Sequence, residues 1–218
     1  EQNVIQTAYH ILVASSPELL EQGKGDIWDS GKIESDASQW IAYQGKPLKR
    51  NARYYWKVKV YTNRGEADWS APAFWSMGLF NEADWRGQWI GLDRAAPGDS
   101  ETQWSRLAAR YLRKEFALSK EVKRATVHIA GMGLYELFIN GQRIGDQVLT
   151  PAPTDYRKTI LYNTYDVTPQ LRKENAIGVT LGNGRFYTMR QNYKPYKIPT
   201  FGYPKLRLNL IVEYTDGN

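Results

Sequence analysis

Between Leu134 and Ile144 the chain reads LYELFINGQRI, with Tyr135, Leu137 and Ile139 on one parity and Glu136 and Phe138 on the other. Such alternation marks a strand with one face buried, because successive side chains of a strand point to opposite faces. The Asn140-Gly141 pair that follows predicts a type I′ turn, which needs positive φ at both central residues. Leu134–Ile139 and Gln142–Ile144 are therefore expected to form an antiparallel hairpin. Thr126–Ala130, Thr159–Tyr165 and Ala176–Leu181 are further strand candidates, the last bounded by Gly182 and Gly184, and Pro204–Tyr214 (PKLRLNLIVEY) is a long one. Short strands separated by turn signals, with little helical period between them, predict an all-β sandwich or jelly roll.

The first third of the chain shows the same period. In Thr7–Ser15 the aliphatic and aromatic bulk falls on Tyr9, Ile11 and Val13, which predicts that this parity faces the core and Ala8, His10, Leu12 and Ala14 the other side. Pro17–Gln22 reads as one helical turn, capped by Ser16 and stopped by Gly23-Lys24-Gly25. Trp28 and Ile33 flank an Asp-Ser-Gly turn, and Gln39–Tyr43 is expected as a short strand. Arg53–Thr62 (RYYWKVKVYT) alternates cleanly, so Tyr54, Trp56, Val58 and Val60 are expected inward and Tyr55, Lys57, Lys59 and Tyr61 in water. Ala73–Met77 closes the segment.

A complete sandwich module of this kind has seven strands, and only about five are counted between Thr7 and Met77. The first module is therefore expected to be partial, and the strand Pro204–Tyr214, followed only by Thr215-Asp216-Gly217-Asn218, is expected to belong to a module cut at its other end. The division predicted is residues 1–80 and 81–218. Between them Gly78–Ser100 carries Trp85, Trp89 and Ile90, which points to a packed seam, before the polar stretch AAPGDSE.

The run LYELFINGQRIGDQVLTPAPTDYRKTILYNTYDVT, followed by NAIGVTLGNGRFY and PKLRLNLIVEYTDG, closely resembles the N-terminal β-sandwich domain of bacterial α-L-rhamnosidases of glycoside hydrolase family 78. The resemblance covers about half the chain. It implies a parent enzyme that removes terminal L-rhamnose, with its acids on an (α/α)-barrel outside these 218 residues. The aromatic strand leading to Trp69-Ser70-Ala71-Pro72 resembles a fibronectin type III module, which rhamnosidases often place before the sandwich. A non-catalytic N-terminal part is thus expected, whose partner is the rest of the glycosidase chain and whose further contact is a rhamnose-containing carbohydrate. The alternatives are a free-standing carbohydrate-binding module and a structural protein-interaction fragment. The resemblance also favours a periplasmic or extracellular setting, with the cytoplasm left open.

Composition narrows the classes. A hydrophobic share of 42% can fill a core, and no cysteine is present, so neither a disulfide framework nor a thiolate metal site is available. The net charge of +6 is dispersed without a basic run of four, which speaks against nucleic acid as a partner. Apolar stretches stay well short of the roughly 18 residues of a membrane span, so no membrane partner is expected. The start, EQNVIQ, has neither the basic nor the apolar region of an export signal.

Candidate chemistry is sparse. Glycoside hydrolysis requires two carboxyl groups on opposite sides of the scissile bond, and the spacing of Glu136, Asp146, Asp155 and Asp166 does not oppose any two of them. Asp155 and Asp166 read as loop and strand-end residues bonding nearby backbone N–H groups, and no catalytic residue is assigned. His10 and His128 lie inside strands and read as packed side chains. LGNGRF lacks the glycine spacing and Lys-Ser/Thr end of a phosphate loop, and reads first as a tight loop needing positive φ. It is also the best carbohydrate-binding candidate. Asn183, Arg185, Phe186 and Tyr187 combine planar polar groups for hydroxyls with an aromatic face for the C–H surface of a sugar ring. Asn192, Tyr193, Tyr196, Phe201 and Tyr203 extend this into a long aromatic loop, which equally suits docking on a neighbouring domain. No cofactor is expected. Calcium is the one metal alternative, which the resemblance brings in, with Asp146 and Asn183 noted as loop oxygens.

Overall fold

The structure, a computed structural model, describes residues 3–95, 99, 106–188 and 201–217. The chain divides into two compact units, Glu1–Asp84 and Trp85–Asn218. Both are built from antiparallel strands, as the alternating pattern predicts, and among the described residues the only α-helix is one short turn. No helix of the described residues is long and apolar enough to cross a membrane.

The first unit holds five strands among its described residues, β1 (Gln6–Ala14), β2 (Trp28–Glu34), β3 (Arg53–Thr62), β4 (Gly65–Glu66) and β5 (Ala73–Ser76), in one sheet ordered β2-β1-β3-β4 with β5 also on β3. Helix α1 (Pro17–Glu21) begins where expected: the Ser16 hydroxyl accepts from the Leu19 N–H, satisfying one of the free first-turn donors. This helix alters the expected parity. It lays Leu20 against Leu12 and Ala14, with Leu19, Tyr55 and Trp69 around them, so a core forms on the side assigned to the smaller residues. Val13 is buried on the opposite face, while Tyr9 and Ile11 are only half-buried. The supposedly wet face of β3 is partly covered as well. The Lys57 ammonium donates to the Leu20 carbonyl at 2.6 Å and lies 5.0 Å from the Trp69 ring centroid, its stem lying along the apolar surface.

Two local expectations fail in this unit for identifiable reasons. Asp29-Ser30-Gly31 does not turn the chain; it forms an irregularity within β2, where Gly31 has φ +61° and the register with β1 shifts between His10 and Leu12. Gln39–Tyr43 is not a strand, because Trp40 sits at φ +61°, a left-handed conformation that breaks the extended run. Tyr43 is held instead by an edge-on contact with Trp28 at 5.3 Å and by its hydroxyl, which donates to the Lys46 carbonyl at 2.6 Å.

Among its described residues the second unit is a sandwich of two four-stranded sheets. One contains β10 (Gln142–Ile144), β9 (Leu134–Ile139), β12 (Glu174–Gly182) and β7 (Arg110–Ala117) in that order. The other contains β11 (Tyr162–Asp166), β8 (Val122–Met132), β13 (Lys205–Tyr214) and β6 (Ile90–Gly91). The predicted hairpin is present: Gln142 faces Ile139 and Ile144 faces Leu137, with φ of +52° at Asn140 and +82° at Gly141. Inward residues of both sheets, Val127, Ile129, Tyr135, Leu137, Ile139, Val179, Leu181 and Leu206 among them, make one buried core.

The outer face of the second sheet is covered too. Thr126, His128, Arg207 and Asn209 point away from the core yet are buried. The segment from Trp85 to Gly87 lies against Arg207 and Asn209 like a strap before the chain joins the sheet edge as β6. The Asn209 side-chain oxygen accepts from the N–H groups of Arg86 (3.2 Å) and Gly87 (2.8 Å), and the Arg207 Nε donates to the Gly87 carbonyl at 2.6 Å. Trp85 meets Tyr162 edge-on at 5.4 Å, and the Arg207 guanidinium stacks over its indole at 5.2 Å. Gly87 is required here, since a Cβ would run into the Leu208 carbonyl oxygen.

Candidate functional site

The sugar-binding candidates follow directly on β12, at the end of the sandwich where β8 turns into β9. The Tyr187 N–H donates to the Asn183 carbonyl at 3.2 Å, closing a turn over Asn183–Tyr187. Gly184 takes φ +52° there and packs so closely on Leu134 that a Cβ would lie 3.0 Å from its Cγ. The positive φ expected of this loop is thus located at one residue.

The four candidates are not presented alike. Asn183 is half-buried, and its Nδ2 donates to the Leu107 carbonyl at 3.0 Å. Arg185 is exposed. Phe186 is 7% exposed, with Tyr156 edge-on at 5.2 Å and Phe201 stacked at 6.0 Å. With its ring covered in this way, Phe186 acts as an anchor for the loop and does not offer a stacking face. Tyr187 is half-buried and stacks on Tyr203 at 5.8 Å, so these two phenols are the aromatic surface next to Arg185. Asn192, Tyr193 and Tyr196 lie outside the described residues.

Sequence reasoning missed Tyr156 as a member of this cluster. It sits on a turn closed by the Lys158 and Thr159 N–H groups bonding the Asp155 carbonyl at 2.8 and 3.0 Å, and no local pattern links that turn to Phe186. Burial raises the Tyr156 pKa, which the positive charge of Arg185 opposes, so the phenol remains protonated at neutral pH.

The carboxylates serve local structure. Glu136 pairs with Arg143 at 3.6 Å across the hairpin. Asp155 accepts from its near neighbour Arg157, side chain at 3.0 Å and backbone at 3.3 Å, and these bonds hold its pKa below the ordinary value. Asp166, two residues before the 3-10 turn Thr168–Gln170, accepts from the backbone N–H and hydroxyl of Thr168 at 3.0 and 2.6 Å. Asp146 is exposed. His10 pairs with Asp29 at 2.6 Å, and buried His128 meets the Thr164 hydroxyl at 2.9 Å. Among the described residues, no group of three or more His, Cys, Asp or Glu side chains is placed to hold a metal ion.

Comparison with known proteins agrees with this architecture. A family model described as the α-L-rhamnosidase N-terminal domain matches residues 120–218, and one described as a Rha78A-like, N-terminal immunoglobulin domain matches residues 1–81. The module expected to resemble fibronectin type III is thus matched by an immunoglobulin-domain model, a β-sandwich as expected, without confirming the fibronectin type III label. An α-L-rhamnosidase of Formosa agariphila is 41% identical over 97% of this chain and 24% of its own length, and one of an Alteromonas species is 36% identical over 82% and 20%. The solved structure of an α-L-rhamnosidase from Dictyoglumus thermophilum superimposes with a TM-score of 0.86 at 41% identity, covering all of this chain and 24% of that one. That of Aspergillus terreus gives 0.84 at 29% identity, covering 99% and 24%. The chain therefore spans about a quarter of the length of these relatives. With its two units matched to their N-terminal modules, it belongs to the α-L-rhamnosidase family as an N-terminal region.

Proposed function

We propose that this chain is the non-catalytic N-terminal part of an enzyme that removes terminal L-rhamnose, and that it supports a catalytic portion carried elsewhere in the polypeptide. The proportion of the match is the main support, since nearly all of this chain corresponds to only 24% of a rhamnosidase. The engagement of Glu136, Asp155 and Asp166 in local structure agrees with it, because hydrolysis needs an acid and a base or nucleophile facing each other across the bond. The isolated chain is expected to leave an aryl α-L-rhamnoside at buffer background. Turnover lost on Glu136→Gln or Asp155→Asn would sink this function. A periplasmic or extracellular setting goes with it, to be checked by fractionating the source cells.

A carbohydrate contact at Asn183–Tyr187 is the second reading, favoured by the stacked Tyr187–Tyr203 pair beside exposed Arg185. Such a shallow aromatic site gives millimolar affinity, equivalent to roughly −4 kcal/mol. NMR titration with L-rhamnose, with and without calcium, tests it: shifts centred on Asn183–Tyr187 and Tyr203 support a binding surface, and an unchanged spectrum leaves the supporting role alone.

A further inference from the structure

The loop that follows the β9–β10 hairpin has a well-anchored base and an apolar tip. At its base the Arg143 guanidinium donates to the carbonyls of Gly145 (3.3 Å) and Gln147 (2.6 Å). The Tyr165 hydroxyl donates to the Gln147 side-chain oxygen at 3.1 Å. On the far side the Tyr135 N–H donates to the Thr150 carbonyl at 2.9 Å, the Asn163 amide to the Thr150 hydroxyl at 2.6 Å, and Pro151 is buried. Between these anchors Val148 is 80% exposed and Leu149 73% exposed. Leu149 also has φ +57°, a conformation in which a side chain with Cβ is strained.

An exposed Leu held in a disfavoured conformation, on a loop tied down at both ends, gains nothing within the unit itself. The Val148 and Leu149 side chains carry no polar atom, so the tip itself presents neither a charge for an anionic surface nor a donor for sugar hydroxyls. What complements it is an apolar pocket, and prior fixation of the loop reduces the ordering that docking would otherwise require. The relatives supply the candidate: about three-quarters of their length lies outside the part that this chain matches.

We propose that Val148 and Leu149 form a preformed docking knob, seated in an apolar pocket of the remaining portion of the same rhamnosidase polypeptide. This rests on the supporting role proposed above, and the two can fail separately. If the unsubstituted isolated chain hydrolyses an aryl rhamnoside, that role fails before any variant is made. The knob is tested by Val148→Ser with Leu149→Gly in the full-length rhamnosidase, with Leu149→Asn as a second variant, since Gly and Asn both tolerate positive φ. The midpoint of thermal inactivation is expected to fall by several degrees, and limited proteolysis between this region and the rest to quicken about tenfold. In the isolated chain the same substitutions should leave the melting temperature unchanged or raise it, because they relieve strain without removing a buried contact. Full-length enzyme that melts and resists protease as before overturns the proposal. So does an isolated chain that dimerises in sedimentation through these residues, which would make a second copy the occupant.

Discussion

The two units carry similar alternating strands and solve burial differently. In the sandwich, two sheets face each other and the inward parity of β8, β9 and β12 disappears from solvent, with Val127, Ile129, Ile139 and Leu181 at 0% exposure. Among the described residues of the first unit a single sheet carries one small cluster on one side and buries Val13 and Tyr54 on the other. Leu12, Ala14 and Leu20 make that cluster, and most of β3 is half-exposed, its cations lying over Trp69 and Phe74. Alternation therefore announces that a face will be covered, and the layer that arrives determines whether apolar burial or cation–π contact covers it.

This contrast makes the core of the sandwich the most sensitive place in the molecule. Leu137→Ala, at 1% exposure, is expected to cost about 3–4 kcal/mol and to lower the urea midpoint of the second unit while leaving the transition of the first in place. An equal loss on Val58→Ala, at a half-exposed position of β3, would break the contrast.

Acid should separate the units next. His128 is buried beside Arg124, and burial first, then that charge, depress its pKa below the ordinary 6.5. The unfolded chain then takes up a proton that the folded chain refuses, so this contribution to stability is complete above pH 6.5 and declines as pH falls toward the depressed folded value. In the first unit the depressed groups are carboxylates. Asp29 is lowered because the Gly31 N–H and His10 outweigh a larger opposing effect of burial, and Asp84 by the Phe80 and Asn81 N–H groups and Arg50. Their contributions are complete above the ordinary value of 3.8 and decline only below it. Urea titrations at pH 7 and 5 should therefore weaken the second unit and spare the first, and His128→Asn should flatten the difference.

The smallest effect sharpens the account of the first unit. Lys57→Met keeps an apolar stem but removes the charge over Trp69 and the bond to Leu20, and is expected to cost about 0.5–1 kcal/mol. No change in the melting temperature would mean that the cations are incidental to that face.

Local chemistry made much of this legible in advance. Asn140-Gly141 specified the hairpin, Ser16 the start of α1, and the even alternation of Arg53–Thr62 the bounds of β3. What escaped depends on distant partners. The parity of β1 turned on where Leu20 would lie, and the strap at Trp85–Gly87 follows from Arg207 and Asn209 more than a hundred residues later. At the candidate site the glycine turn was readable. The difference between Phe186 and Tyr187 was not, because Tyr156 and Phe201 decide it from separate loops.

The strap also sets an order of events during synthesis. Trp85, Arg86 and Gly87 leave the ribosome early in the second unit, whereas Asn209 and Arg207 stand in β13, 122 residues after Gly87 in the case of Asn209. At roughly 5–20 residues per second, translation separates the two by about 6–25 seconds. Throughout that interval β8 lacks β13 beside it and the strap lacks the Asn209 and Arg207 side chains that hold it, so this part of the sandwich cannot close before β13 arrives, and the nascent chain needs protection until then.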